Sequence, residues 1–270
     1  MSSKMYRSFF GFERDPFPTD IDLKDIHLTD ELSGVWNRFQ YAINLGAIVV
    51  ITGDVGSGKS TALKYSVGQL HPSEYKIFQV TATSGSILEL YKQILGELGV
   101  EASGSSRAVL TKRIKQEFAE WIHNKKMKAI LIIDEASLLR LEVFKELHTL
   151  LQFRQDTGSI LPMILAGQSN LIDNLSYRTS APLASRIVGR SHLEGIDLKN
   201  MGIYIDHQLK IAGIKTKLFD DSAIMAIHQG SGGLFRKANN LARGALVAAS
   251  SEKNMSVNAE HVRLASTEIF

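Results

Sequence analysis

The chain contains no cysteine, which excludes disulfides, thiolate metal sites and cysteine nucleophiles and favours a reducing compartment. It has no apolar run of membrane-spanning length. Its first residues, MSSKMYRSFFGFERDPF, place charges and a proline where a secretory signal needs an unbroken apolar stretch. The expectation is a soluble, cytoplasmic protein with no membrane segment in this chain. An excess of charge of one sign is also small. A net charge of +3 and a sequence pI near 8.9 permit nucleic-acid binding but fall short of the basic balance that argues for it. What is abundant is core-forming material: 44% of 270 residues are hydrophobic, enough for one large domain or a large and a small one.

Apolar spacing at Leu32, Val35, Trp36, Phe39 and Ile43 predicts a helix over Glu31 to Asn44, stopped by Gly46 ahead of a buried strand in Ala47 to Ile51. A helix over Thr61 to Leu70, ended by His71-Pro72, follows the glycine-rich stretch GDVGSGKS. Further strands are expected at Lys76–Thr81, Ala129–Ile133 and Leu161–Ala166, the last leading to Gly167-Gln168. Helices alternate with them at Ile87–Leu98, Ala108–His123 and Leu141–Gln152, with a turn-rich break at Ser103–Ser106. In the second of these helices Leu110, Ile114, Phe118 and Trp121 or Ile122 share one face. Uniformly apolar strands alternating with helices describe a parallel sheet covered on both faces, a three-layer αβα core.

After Ser191 the strand signal weakens. Helices are predicted at Lys199–Ala212, Asp220–Gln229, Phe235–Ser250 and Asn258–Ser266, with Asn258 as the cap of the last. The expected division is an α/β domain over 1–195, including its leader, and a small all-helical domain over 196–270.

Gly53-Asp54-Val55-Gly56-Ser57-Gly58-Lys59-Ser60 fits G-x-x-x-x-G-K-[ST] in full and lies between a predicted buried strand and a helix, as the motif's mechanism requires. Its glycines let successive backbone N–H groups and the following helix N-terminus face phosphates. Lys59 is expected to reach the β and γ phosphates of ATP, Ser60 to complete a Mg²⁺ shell, and Thr61 to lie near the α phosphate. The run AILIID-E then ends a strand in two carboxylates at the same sheet edge. Asp134 is expected to hold Mg²⁺ and Glu135 to polarise the attacking water. Taken alone, two acids at a strand end also suit a helix N-cap and its neighbour.

These residues resemble the AAA+ superfamily, and within it the ATPase domain shared by ExeA-type secretion ATPases and the transposition ATPases of the TniB, TnsC and MuB kind. The likeness runs through nearly the whole chain, from the leader Tyr6-Arg-Ser-Phe-Phe-Gly-Phe with Pro16-Phe17 to the C-terminal helices. It implies a P-loop (AAA+) fold with a helical lid. By the same likeness, Leu165-Ala-Gly-Gln168-Ser-Asn-Leu resembles the sensor 1 segment, with Gln168 at the γ phosphate or water. Leu183-Ala-Ser-Arg186-Ile-Val-Gly-Arg190 is similar to the stretch that carries an arginine finger, Arg186 being the candidate and Arg190 the alternative. Gly230-Ser-Gly-Gly-Leu-Phe-Arg236 resembles the start of the sensor 2 helix, with Phe235 where the family often has proline.

The resemblance implies a homo-oligomer, a ring or filament, assembled with ATP on duplex DNA without base specificity. Such an assembly would act in transposition with a transposase. An ExeA-type secretion ATPase domain and an ATP-dependent assembly switch are the alternatives. The basic residues Arg107, Lys112, Arg113, Lys115, Lys125, Lys126 and Lys128 read as a solvated face, with phosphate contact as the alternative. The polar loop Thr81–Ser86 is a further candidate DNA-facing segment.

Overall fold

An unbroken apolar run such as Ile-Val-Val-Ile-Thr demands a strand covered on both faces, and strand β1, Ile48–Gly53, is buried at every residue. The computed structural model describes residues 3–102, 104, 106–151 and 161–269. The expected helix end at Gln152, and Ser103 and Ser105 of the turn-rich break, lie outside the described residues.

With β2 (Tyr75–Thr81), β3 (Lys128–Asp134), β4 (Met163–Gly167) and β5 (Ile187–Leu193), β1 forms a five-stranded parallel sheet in the order β2-β3-β4-β1-β5. β4 is therefore inserted between β1 and β3. Register fixes what meets at the C-terminal edge: Thr52 lies opposite Gly167, Ile133 opposite Leu165, and Gly53 opposite Leu193.

β5 was not anticipated as a strand. It is one of the two sheet edges, its residues alternate between inward ones that are half-buried or buried and outward ones that are exposed, and it carries Arg190 and His192, so it lacks the apolar run that marks its neighbour β1. The helix Arg107–Ala119 also ends earlier than its apolar pattern implied, passing into a π turn at Glu120–Asn124. The wider turn lets Trp121 and Ile122 both pack against the core, where sequence offered one or the other. Trp121 meets Phe78 edge-on at 5.6 Å.

The chain divides into two compact units. Leu28–Gly53 and Lys59–Leu193 form the α/β unit, around a core that includes Phe78, Phe118, Ile133, Phe144 and Leu165. The second unit takes the described residues of 1–27 and 194–270 together with Asp54–Gly58. Its helices are Ser3–Phe10, Leu198–Ile211, Asp221–Ser231, Phe235–Ser251 and Ala259–Ile269.

The leader packs in this helical unit. Tyr6, Phe10, Phe12 and Phe17 are buried in its core, Phe17 edge-on to Phe219 at 6.3 Å. Arg14 ties the same segment down, donating to the Ile211 carbonyl at 2.9 Å and pairing with Asp25 at 2.7 Å. Asn258 caps the last helix as expected, its Oδ1 accepting from the N–H groups of Glu260 and His261.

Candidate nucleotide site

The sheet delivers β1 straight into the loop. Gly56 has φ 91° and Gly58 φ 100°, the left-handed region where a Cβ is strained. At Gly56 the restriction is also steric, because a Cβ would stand 2.7 Å from that of Arg236. The loop turns through Ser57, whose N–H donates to the Asp54 carbonyl at 3.1 Å. Ser57 is 2% exposed, and its hydroxyl is among the buried side-chain oxygens with no hydrogen-bond partner. An orphaned hydroxyl in a glycine-dependent turn fits a loop shaped for a polar guest.

Lys59 opens the helix Lys59–Gly68, yet it is only 7% exposed, and its ammonium donates to the Gly53 carbonyl at 2.9 Å. A buried cation held across the mouth of a loop is suited to an anion. Ser60 is exposed and Thr61 half-buried in the same turn. At Val55 the chain leaves an apolar side chain 53% exposed.

One strand beyond β4, Asp134 ends β3 and Glu135 leaves the sheet at φ 53°, ψ 30°, a conformation that costs a non-glycine residue about 1 kcal/mol or more. Both are half-buried. Asp134 Oδ1 accepts the N–H of Glu135 at 2.9 Å, and the Glu135 side chain makes no cap to the short 3₁₀ turn Ala136–Leu138. A helix-capping role for this pair is therefore not what the geometry shows. Gln168 follows Gly167 on β4, is exposed, and so emerges between the strand of the loop and the strand of the acids.

Lys59, Ser60, Asp134, Glu135 and Gln168 thus belong to one edge of one sheet. Ser60 and Asp134 are hard oxygen donors of the kind Mg²⁺ takes beside phosphates and water. No cluster of three or more His, Asp or Glu able to hold a metal on protein groups alone occurs among the described residues.

The two arginine-finger candidates lie elsewhere. Arg186 precedes β5, its carbonyl accepting from Ile48 N–H at the start of β1 and its guanidinium donating to the Leu151 carbonyl at 3.5 Å. That is the opposite end of the strands from Gly53, about 20 Å along the sheet. Arg190 stands in mid-strand opposite Val50. Neither belongs to the edge that carries the chain's own loop.

In the helical unit, Arg236 occupies the first turn of helix Phe235–Ser251, and its backbone N–H donates to the Gly56 carbonyl at 3.3 Å. Phe235 faces the loop too. A Cβ on Gly58 would sit 3.5 Å from its ring, and the ring meets Tyr204 edge-on at 4.8 Å. Sequence marked Phe235 only as a departure from proline. Two other contacts escaped it: Thr52 Oγ1 lies 2.9 Å from His192 Nδ1 beside the loop, and Ser137 Oγ accepts the Gln168 N–H. No local pattern announces either, since each depends on which strands are neighbours.

The basic residues after Ser106 are largely engaged. Arg107 pairs with Glu146 at 3.3 Å, Arg113 with Glu117 at 2.9 Å, and Lys125 lies 3.4 Å over the Trp121 ring. Among the described residues no helix is long and apolar enough to cross a membrane.

Residues 44–175 match a family model described as AAA domain. Over 267 residues the chain is 26% identical to General secretion pathway protein A of Aeromonas hydrophila, covering 98% of this chain and 48% of that protein. The chain therefore spans about half the length of the relative it matches. Among solved structures it is similar to the ORC2 protein of Aeropyrum pernix in its ADPNP–ADP complexes, with a TM-score of 0.71 and 16% identity over 95% of this chain and 72% of the other. Cdc6p of Pyrobaculum aerophilum matches with a TM-score of 0.71 and 14% identity, over 98% and 71% of the two chains. The RuvB Holliday junction branch migration motor of Thermotoga maritima matches with a TM-score of 0.56 and 18% identity, over 94% and 73%. The parallel sheet order, the phosphate-loop sequence and these likenesses together identify the architecture as the AAA+ P-loop NTPase fold with C-terminal helices.

Proposed function

We propose that the chain binds Mg²⁺–ATP and hydrolyses it. The observation that carries this reading is the convergence of Lys59, Ser60, Asp134, Glu135 and Gln168 on one sheet edge. Bound ATP supplies the phosphoryl group and Mg²⁺ its charge neutralisation. The loop N–H groups other than that of Ser57, with the Lys59 ammonium, hold the phosphates, while Ser60 and Asp134 hold the metal. Glu135 orients the attacking water and Gln168 senses the γ phosphate. Arg236 contributes charge next to Gly56. Arg186, remote from its own loop, acts as a finger on a neighbouring copy, which makes the ATP state an oligomer.

The likeness along 98% of this chain to a protein named for the general secretion pathway supports an ATPase module of a secretion apparatus. The DNA transposition role implied by the TniB, TnsC and MuB resemblance has no such relative behind it. The ORC and RuvB likenesses carry the fold alone.

The test is ATP hydrolysis with particle size followed on the same samples, with and without duplex DNA across a salt series. ATP-dependent turnover and assembly indifferent to DNA support the secretion module. Stimulation that grows with DNA length and fades with salt supports the DNA-bound assembly. Equal turnover in wild type and Lys59→Ala overturns the site assignment.

A further inference from the structure

The left-handed Glu135 turns the chain off β3 into Ala136–Leu138, and this turn carries Ser137 back over the end of the adjacent strand, β4. Two independent contacts record the approach. The Gln168 N–H donates to Ser137 Oγ at 3.1 Å. At Gly167 a Cβ would stand 2.8 Å from Ser137 N, 3.0 Å from its Oγ and 3.1 Å from its Cβ, so the close approach exists only because residue 167 has no side chain. Ser137 is 7% exposed, which keeps water from replacing the hydroxyl cheaply.

We propose that Ser137 is a positioning residue that couples the turn carrying Glu135 to the strand end carrying Gln168. Through this hydroxyl, the water-orienting carboxylate and the γ-phosphate sensor are held in one arrangement rather than on two separately mobile strand ends. The inference rests on the ATPase reading above. Ser137 touches neither nucleotide nor water in this account, so its loss acts on catalysis and not on nucleotide affinity.

Ser137→Ala removes the acceptor at little steric cost, and Ser137→Thr keeps it. Amide exchange at Gln168, followed in the nucleotide-free protein, should quicken in Ser137→Ala and stay near wild type in Ser137→Thr. With ATP, Ser137→Ala should lower kcat about tenfold, with ATP affinity within about twofold of wild type. On a Gln168→Ala background the backbone N–H persists and still anchors the turn of Glu135, while the sensing side chain is gone, so adding Ser137→Ala should lower turnover by less than it does in the wild type. Unchanged Gln168 exchange in Ser137→Ala, or multiplicative losses in the double variant, would overturn the coupling. Should Ser137→Ala fold poorly, Gly167→Ala forces the same contact apart from the other side and is read by the same two measurements. A wild type whose turnover does not depend on Glu135 would instead remove the ATPase reading, a result distinct from failure of the coupling.

Discussion

The backbone N–H of Arg236 donates to the carbonyl of Gly56 at 3.3 Å, so the helix that carries the arginine is tied to the loop by main chain, independently of the arginine's charge. Two substitutions separate these roles. Gly56→Ala places a Cβ 2.7 Å from that of Arg236 at φ 91°, and should weaken ATP binding by at least about tenfold. Arg236→Ala keeps the main-chain tie and should lower turnover more than affinity. Titration with a fluorescent ATP analogue, beside steady-state hydrolysis, distinguishes the two.

Phe235 stands at the first residue of its helix, where proline is tolerated. Phe235→Pro should therefore keep the helix but lose the ring's cover over Gly58 and its edge contact with Tyr204. The expected cost is about 1–2 kcal/mol in urea unfolding. A variant as stable as wild type would show that the ring contributes nothing there.

His27 packs against His207 at 5.0 Å and Tyr204 at 6.2 Å, and His207 in turn is hydrogen-bonded to the Asp25 carbonyl, while the Asp25 carboxylate is paired with Arg14. Burial first, and His207 second, hold the His27 pKa below its ordinary 6.5. Below that value the unfolded chain binds a proton the folded chain resists. This contribution to stability is full above about 6.5 and is lost as pH falls from there through the folded value. Thermal unfolding of wild type should weaken over that window, and His27→Gln should flatten the acid limb.

The central strands were legible because β1, β3 and β4 are covered on both faces and their sequences say so without a break. The phosphate loop and the Asp134-Glu135 pair were legible because each is a local pattern bound to a strand end. β5 was not, since an edge strand with Arg190 and His192 alternates polarity and resembles a loop. Instead of a strand, the stretch suggested only a finger arginine. The leader's aromatics carry a resemblance in the sequence, but their burial depends on Phe219 and the late helices, contacts that no local periodicity encodes. Ser137 was invisible for the same reason: its importance depends on β3 and β4 being neighbours.

Glu135 holds a left-handed conformation that glycine adopts freely. Relief of that strain and the extra flexibility of glycine oppose each other at about 1 kcal/mol each. Glu135→Gly should therefore unfold within about 1 kcal/mol of wild type while abolishing turnover. Chemical denaturation and hydrolysis on one preparation check both halves. A large loss of stability would mean that the carboxylate is structural.

The most direct measurement is ATP hydrolysis and ATP affinity in Glu135→Gln, a substitution that keeps shape and polarity and removes the charge. Turnover about 100-fold below wild type with affinity preserved is the predicted result, since only the orientation of water is lost. Undiminished turnover in Glu135→Gln would contradict the account.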